Sequence, residues 1–292
     1  MLIIHCFRPG TNRSILGVGL DRPEFSASRT LTMRFRVYFA AIVAFVSINC
    51  MGQIKPSDAN AQSSPVMLGK MPVELEVRYA VSALPPHLRD GATIYILDPN
   101  RGYALHVQGT NGMTCIVVRS DWQFPKHAFR DDIYWPVCYD AEGSKTLLQD
   151  YLYTAELRAH GMESNQAHEE VVKRFGKPSY PNPSRAGVAY MLAPIMRTFG
   201  DSKVVVPFTM NMPHYMFYAP NVKNADIGGK PFSQYPFILS MSPGRDDVII
   251  LFAGETEKAK ILLESKDLLT ELCSYRDFLC TNEKTRTQIP NN

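Results

Sequence analysis

Residues 93–119, TIYILDPNRGYALHVQGTNGMTCIVVR, hold three short runs rich in β-branched and aromatic residues, separated by two turn-forming clusters. Thr93–Leu97, Gly102–Val107 and Met113–Arg119 have the length and composition of strands. Between them lie Asp98-Pro99-Asn100-Arg101-Gly102 and Gly109-Thr110-Asn111-Gly112. Proline presets φ, glycine admits positive φ, and Asn or Asp bonds its own backbone, so such clusters reverse the chain. Turns this short join antiparallel neighbours, and the stretch is expected to form a β-meander.

Working outward, Pro72–Leu84 places Val73, Leu75, Val77, Ala80, Val81 and Leu84 at helical spacing, and Pro85-Pro86 stops it. Downstream, Asp121–Arg130 reads as an aromatic-bearing loop and Asp132–Cys138 as a further strand. Asp140 then caps a helix to about His160, ended by Gly161. A second helix covers about Asn165–Phe175. Lys177–Arg185, with three prolines, is a surface connection and a weak subdomain boundary. Five later segments read as strands apolar on both faces: Gly187–Ala193, Lys203–Thr209, His214–Ala219, Tyr235–Met241 and Asp247–Ala253. A helix of about Glu257–Tyr275 closes the pattern. The expected class is α+β, a mainly antiparallel sheet with helices packed on it.

One internal echo bears on that fold. RDDIYWPVCYDAEGSKTLL (130–148) and RDDVIILFAGETEKAKILL (245–263) coincide without gaps at 7 of 19 positions. Both read as turn, strand, acidic cap and helix, a candidate βα pseudo-repeat. Ordinary strand-to-helix punctuation is the commoner cause of one match of this length, which is not a periodic repeat.

The N-terminus reads as a leader. Met33-Arg34-Phe35-Arg36 is basic, Val37–Ile48 is an apolar run, and Ala59-Asn60-Ala61 is a small-x-small cleavage site. The expected division is residues 1–61 as leader, with Met33 the working start and 33–61 the signal peptide, and 62–292 as one α+β domain. A cut after Gly52, an uncleaved signal anchor and a lipoprotein at Cys50 are the alternatives; Asn49 before Cys50 disfavours the last. The expected address is periplasmic or extracellular, with no membrane association once the leader is cleaved.

The leader also explains the charge. The chain has 292 residues and a formal net charge of +3. Residues 1–61 contain seven basic and three acidic side chains, leaving 24 basic and 25 acidic, net −1. A nearly neutral body with no long Lys/Arg run argues against a nucleic-acid partner.

Six cysteines divide likewise. Cys6 and Cys50 lie in the leader; Cys115, Cys138, Cys273 and Cys280 remain. An even number in an exported chain favours two disulfides, with three connectivities open. Pairing 115–138 joins two expected strands. Pairing 273–280 requires the last helix to end between them, because seven helical residues span about 10.5 Å. No C-x2-C spacing points to zinc.

The densest constellation is FTMNMPHYMFYAPNV, residues 208–222. If extended, it places Met210, Met212, His214 and Met216 on one face. Thioethers and an imidazole suit Cu(I); methionine as core filler around a packed histidine is the plainer alternative. Pro213 interrupts the strand and can switch faces. A second set comprises ligand-pocket candidates: His214, Tyr215, Phe217 and Tyr218 with Trp122 and Trp135, among further aromatics at Phe124, His127, Phe129 and Tyr134.

Weaker candidates have commoner explanations. His160, Glu163, His168 and Glu169 flank a helix–helix turn but lack an HExxH pattern. Asp131/Asp132 and Asp246/Asp247 precede strands, where turn and capping roles prevail. Ser144-Lys145 lacks a nucleophile motif, and Asp226-Ile227-Gly228-Gly229 reads as a turn.

NMPHYMFYAPN (211–221), with Asp226–Gly229 and YRDFLC (275–280), resembles a group of uncharacterised exported bacterial proteins over most of residues 85–280. The resemblance implies an exported bacterial protein and carries over no catalytic residue. Three functions remain open at this point. One is a non-enzymatic binding protein for a small molecule. Another is a hydrolase-like enzyme using His214 with Asp132 or Asp247. The third is a copper-handling protein.

Overall fold

A computed structural model describes residues 68–200, 204, 206–240, 242 and 244–281. The expected leader lies outside the described residues. Helix α1 is Val73–Val81, followed by strands β1 (Thr93–Asp98), β2 (Gly102–Val107), β3 (Thr114–Val118) and β4 (Trp135–Tyr139). Helices α2 (Ala141–Lys145), α3 (Leu147–Ala159) and α4 (Ser164–Val172) come next. Strands β5 (Val188–Met191), β6 (Met196–Thr198), β7 (Phe208–Met210) and β8 (His214–Tyr218) precede the single turn α5 (Asn224–Ile227). Strands β9 (Phe237–Leu239) and β10 (Val248–Phe252) lead into helices α6 (Glu255–Glu264) and α7 (Lys266–Tyr275).

Eight strands form one sheet in the order β2-β1-β3-β4-β5-β8-β10-β9, while β6 and β7 pair separately. Every neighbouring pair in the large sheet is antiparallel except β1 and β3. The fold is α+β as expected.

The expected meander is corrected. β1 lies between β2 and β3, and β1 runs parallel to β3, with Thr93 opposite Thr114. The chain after β2 crosses the start of β1 instead of reversing beside it. Gly109 permits this: a Cβ there would lie 2.3 Å from the backbone of Gly91, Ala92 and Thr93. The N–H groups of Thr110 and Asn111 both donate to Gly91 O, at 2.8 and 3.1 Å, and pin the crossing.

Side chains of β3 and β4 alternate between two cores, as strand periodicity requires. Ile116, Val118, Val137 and Tyr139 pack with Leu148, Tyr151, Ala167 and Val171 of α3 and α4. Cys115, Val117 and Cys138 pack on the other face with Leu75, Tyr79, Leu268 and Leu272 of α1 and α7. Helices therefore cover both faces of the sheet at β3 and β4, both of which are buried throughout.

Both favoured disulfides form. Cys115 faces Cys138 across β3 and β4, with Cα atoms 4.1 Å apart. Cys273 and Cys280 have Cα atoms 4.3 Å apart, because α7 ends at Tyr275 and a turn over Asp277–Leu279 brings the chain back.

Other expectations change at boundaries. The helix expected from Asp140 to His160 is two, split at Thr146, whose carbonyl accepts from Arg245 Nη2 at 2.9 Å. The closing helix is also two, split at Ser265. Of the strand expected over 203–209, the described strand residues are those of β7, which pairs with β6 away from the main sheet. Strand β6 was not expected. The two echoing segments share strand-then-helix order, but their arginines differ in role. Arg130 pairs with Asp132 in its own segment, whereas Arg245 pairs with Asp150 far along the chain. Among the described residues, no helix is long and apolar enough to cross a membrane.

Candidate functional site

The face of the sheet under α3 is not fully packed. A cavity of about 290 Å³ opens between β4, β5, β8 and β10, the start of α3, the 121–124 loop and the β6–β7 pair. Its wall is mostly apolar and aromatic.

Strand periodicity selects which candidates reach it. His214, Met216 and Tyr218 alternate along β8 and line the cavity. Tyr215 and Phe217 project from the opposite face and do not: the Tyr215 hydroxyl donates to Glu257 at 2.6 Å, and Phe217 is exposed. The aromatic richness of 214–218 thus overstated the pocket. Trp122, Phe124 and Trp135 do line it, and the first and last are the only tryptophans in the chain. His127, Phe129 and Tyr134 do not line it.

All four members of the methionine–histidine set line the cavity despite the break at Pro213. Met210 belongs to β7, Met212 to the connection, and His214 and Met216 to β8. Two further methionines join them. Met191 lies directly opposite His214 across β5 and β8, and Met196 opposite Met210 across β6 and β7. Met191 was visible as part of an expected strand; Met196 lay in a stretch with no expected element.

His214 is buried, and its Nδ1 lies 2.7 Å from Met212 O. A carbonyl only accepts, so Nδ1 carries the proton and Nε2 keeps its lone pair. Burial lowers the imidazole pKa, with the Met212 contact opposing; the ring is neutral. Its edge meets Phe252 with centroids 5.9 Å apart. Among the described residues, no carboxylate hydrogen-bonds it. Asp132 is held by Arg130 and Arg197, and Asp247 accepts from the N–H groups of Asn221 and Gly244.

Three acids that sequence reasoning did not connect share the wall. Asp121 and Asp246 are both nearly buried, and Asp150 is fully buried. Gln123 joins the first two: its backbone N–H donates to Asp121 Oδ1 at 2.9 Å and its side-chain amide to Asp246 Oδ2 at 2.8 Å. Asp246 also accepts from Ser242 N at 2.7 Å. Asp150 is neutralised by Arg245, 2.7 Å away. Burial pushes the Asp121 carboxyl up to about 7 against the Gln123 hydrogen bond, with neighbouring Asp246 adding to the rise. The Trp135 indole N–H lies close enough to favour the Asp121 charge without closing a hydrogen bond. Burial likewise raises Asp246 to about 6.

The remaining candidates have structural work. Glu163 caps α4 with Gln166. His168 bonds Trp122 O through Nδ1 at 2.8 Å and stacks on the Trp122 ring. Asp131 binds Arg119 and Arg276. Ser144 Oγ donates to Tyr139 O. Gly228 ends α5 at φ 65°, the expected turn. Among the described residues, no cluster of three or more His, Cys, Asp or Glu side chains could hold a metal. Comparison of the chain with protein-family models, curated proteins and solved structures yields no match.

Proposed function

We propose that this chain is an exported, non-enzymatic protein that holds a small, largely apolar molecule in the cavity under α3. The observation that carries the reading is the cavity itself: about 290 Å³ with a mostly apolar wall and a few convergent polar groups, the common form of a small-molecule site. Five methionines contribute flexible, polarizable surface that adapts to an irregular guest. Two disulfides and the leader pattern support an oxidising, exported setting. A hydrolase-like role is less well supported, since Asp132 and Asp247 are engaged elsewhere.

One observation favours a second reading, copper handling. Five thioethers and a neutral histidine with its proton on Nδ1 line one wall, donor types suited to Cu(I). A single ion would leave most of the volume empty, so the organic guest takes precedence. Native mass spectrometry with elemental analysis, on protein isolated from the producing cell, tests both. The expected result is a stoichiometric organic adduct. Stoichiometric copper with no organic adduct would overturn the first reading in favour of the second.

A further inference from the structure

We propose, on the ligand-binding reading above, that the guest carries a protonated amine whose ammonium group sits against the Asp121 carboxylate. Asp121 is 8% exposed and lines the cavity. One of its oxygens takes the Gln123 N–H, and it has no ion pair among the described residues. A buried carboxylate without a cation is costly, and the cost is relieved by pairing or by taking up a proton. Arg245 supplies that partner to Asp150, whereas no described residue supplies one to Asp121.

The surroundings select a cation rather than a second acid. Asp246 stands on the same wall through Gln123. Among the described residues, the only basic side chain lining the cavity is His214, which is neutral. Trp122, Trp135, Tyr139 and Tyr151 border the same space, and aromatic rings attract ammonium groups. An apolar body among the methionines with an ammonium at the acidic end fits both parts of the wall. An anionic guest would meet two carboxylates with no counter-charge.

Tryptophan emission reports on this cavity alone, because both tryptophans line it. Titration at pH 8 with 4-phenylbutylamine, 4-phenylbutanol and 4-phenylbutyrate varies the charge on one skeleton. The amine is expected to bind at least tenfold more tightly than the alcohol, with the butyrate weakest. In Asp121→Asn, checked for folding by circular dichroism, the amine is expected to lose its advantage over the alcohol. In the wild type, the amine preference also shrinks from pH 8 to pH 5 as Asp121 takes a proton. The titratable groups that interact with it are Asp246, Tyr139 and Tyr151, the two tyrosines kept protonated by burial. Asp150, paired with Arg245, and His214 line the same cavity, and Asp246→Asn identifies the share due to Asp246. Equal binding of amine and alcohol by the wild type overturns the proposal and leaves the apolar-ligand reading standing. An amine preference that survives in Asp121→Asn also overturns it. Failure of all three compounds to bind overturns both.

Discussion

Arg245 Nη2 lies 2.7 Å from Asp150 Oδ1, and neither side chain is more than 2% exposed. Arg245 also donates to Thr146 O and lies over the rings of Phe175 and Tyr180. One guanidinium thus ties the turn before β10 to the start of α3, at the edge of the cavity. Breaking a buried pair by removing one partner strands a charge, at a cost of about 3–5 kcal/mol. Arg245→Met is expected to lose that much in chemical denaturation. Combining it with Asp150→Leu recovers part of the loss, because no unpaired charge remains. A double variant no more stable than the single would contradict this account.

Stability should fall as pH rises from 6.5 to 8. Burial raises Asp121 and Glu76 to about 7 and Asp246 to about 6, from unfolded values near 4. The folded state keeps protons that the unfolded chain has released, so raising the pH through these values costs stability. The cost is about 1 kcal/mol each for Asp121 and Glu76 over this interval. His214 has the opposite sign. Its lowered pKa removes stability only as pH drops below about 6.5, outside the window. Asp132, whose pKa is lowered by Arg130 and Arg197 against burial, acts at lower pH still. Melts of Glu76→Gln and Asp121→Asn should each be flatter between pH 6.5 and 8 than the wild type.

The two disulfides should contribute unequally. In the chain-entropy model the 115–138 bridge stabilises by about 3 kcal/mol and the shorter 273–280 loop by about 2.5. Cys115→Ala/Cys138→Ala also removes a contact between the central strands, where both sulfurs are fully buried. Its midpoint in urea should lie below that of Cys273→Ala/Cys280→Ala.

Gly187 is required by Tyr218. A Cβ at Gly187 would lie 2.5 Å from both the Tyr218 ring and Asp140 Oδ2. The Tyr218 hydroxyl bonds Asp140, which caps α2 and also accepts from Val188 N. Gly187→Ala is expected to cost about 1–3 kcal/mol by overpacking. Because Tyr218 lines the cavity, it should also shift tryptophan emission. An unchanged melt would show that the ring has room to move.

Local chemistry carried much of this structure. Strand positions followed from β-branched runs and turn residues. The 273–280 bridge followed from helix geometry, because a pair seven apart needs a helix end between them. Period two places His214 and Met216 on one face of β8, whereas Met210 and Met212 reach the same cavity from β7 and the connection that follows it. The same period excludes Tyr215 and Phe217, where aromatic composition alone had placed them in the pocket. Gly109 hides a crossing that looks locally like a reversal, since both need a flexible turn. Gln123, which also bonds Asp121, meets Asp246 across 123 residues, a proximity that tertiary structure sets and no nearby residue signals. Met196 sits in a three-residue strand too short to show a period.

The central claim is that the cavity under α3 receives a small apolar guest. Its most direct test is tryptophan emission during titration with 4-phenylbutanol, in wild type and in Ala189→Phe. Ala189 is fully buried at the cavity wall, so the larger ring would occupy the guest's space. The account predicts a saturable change in the wild type that is lost in a folded Ala189→Phe. No saturable change in the wild type, or an identical titration in the filled variant, would contradict it.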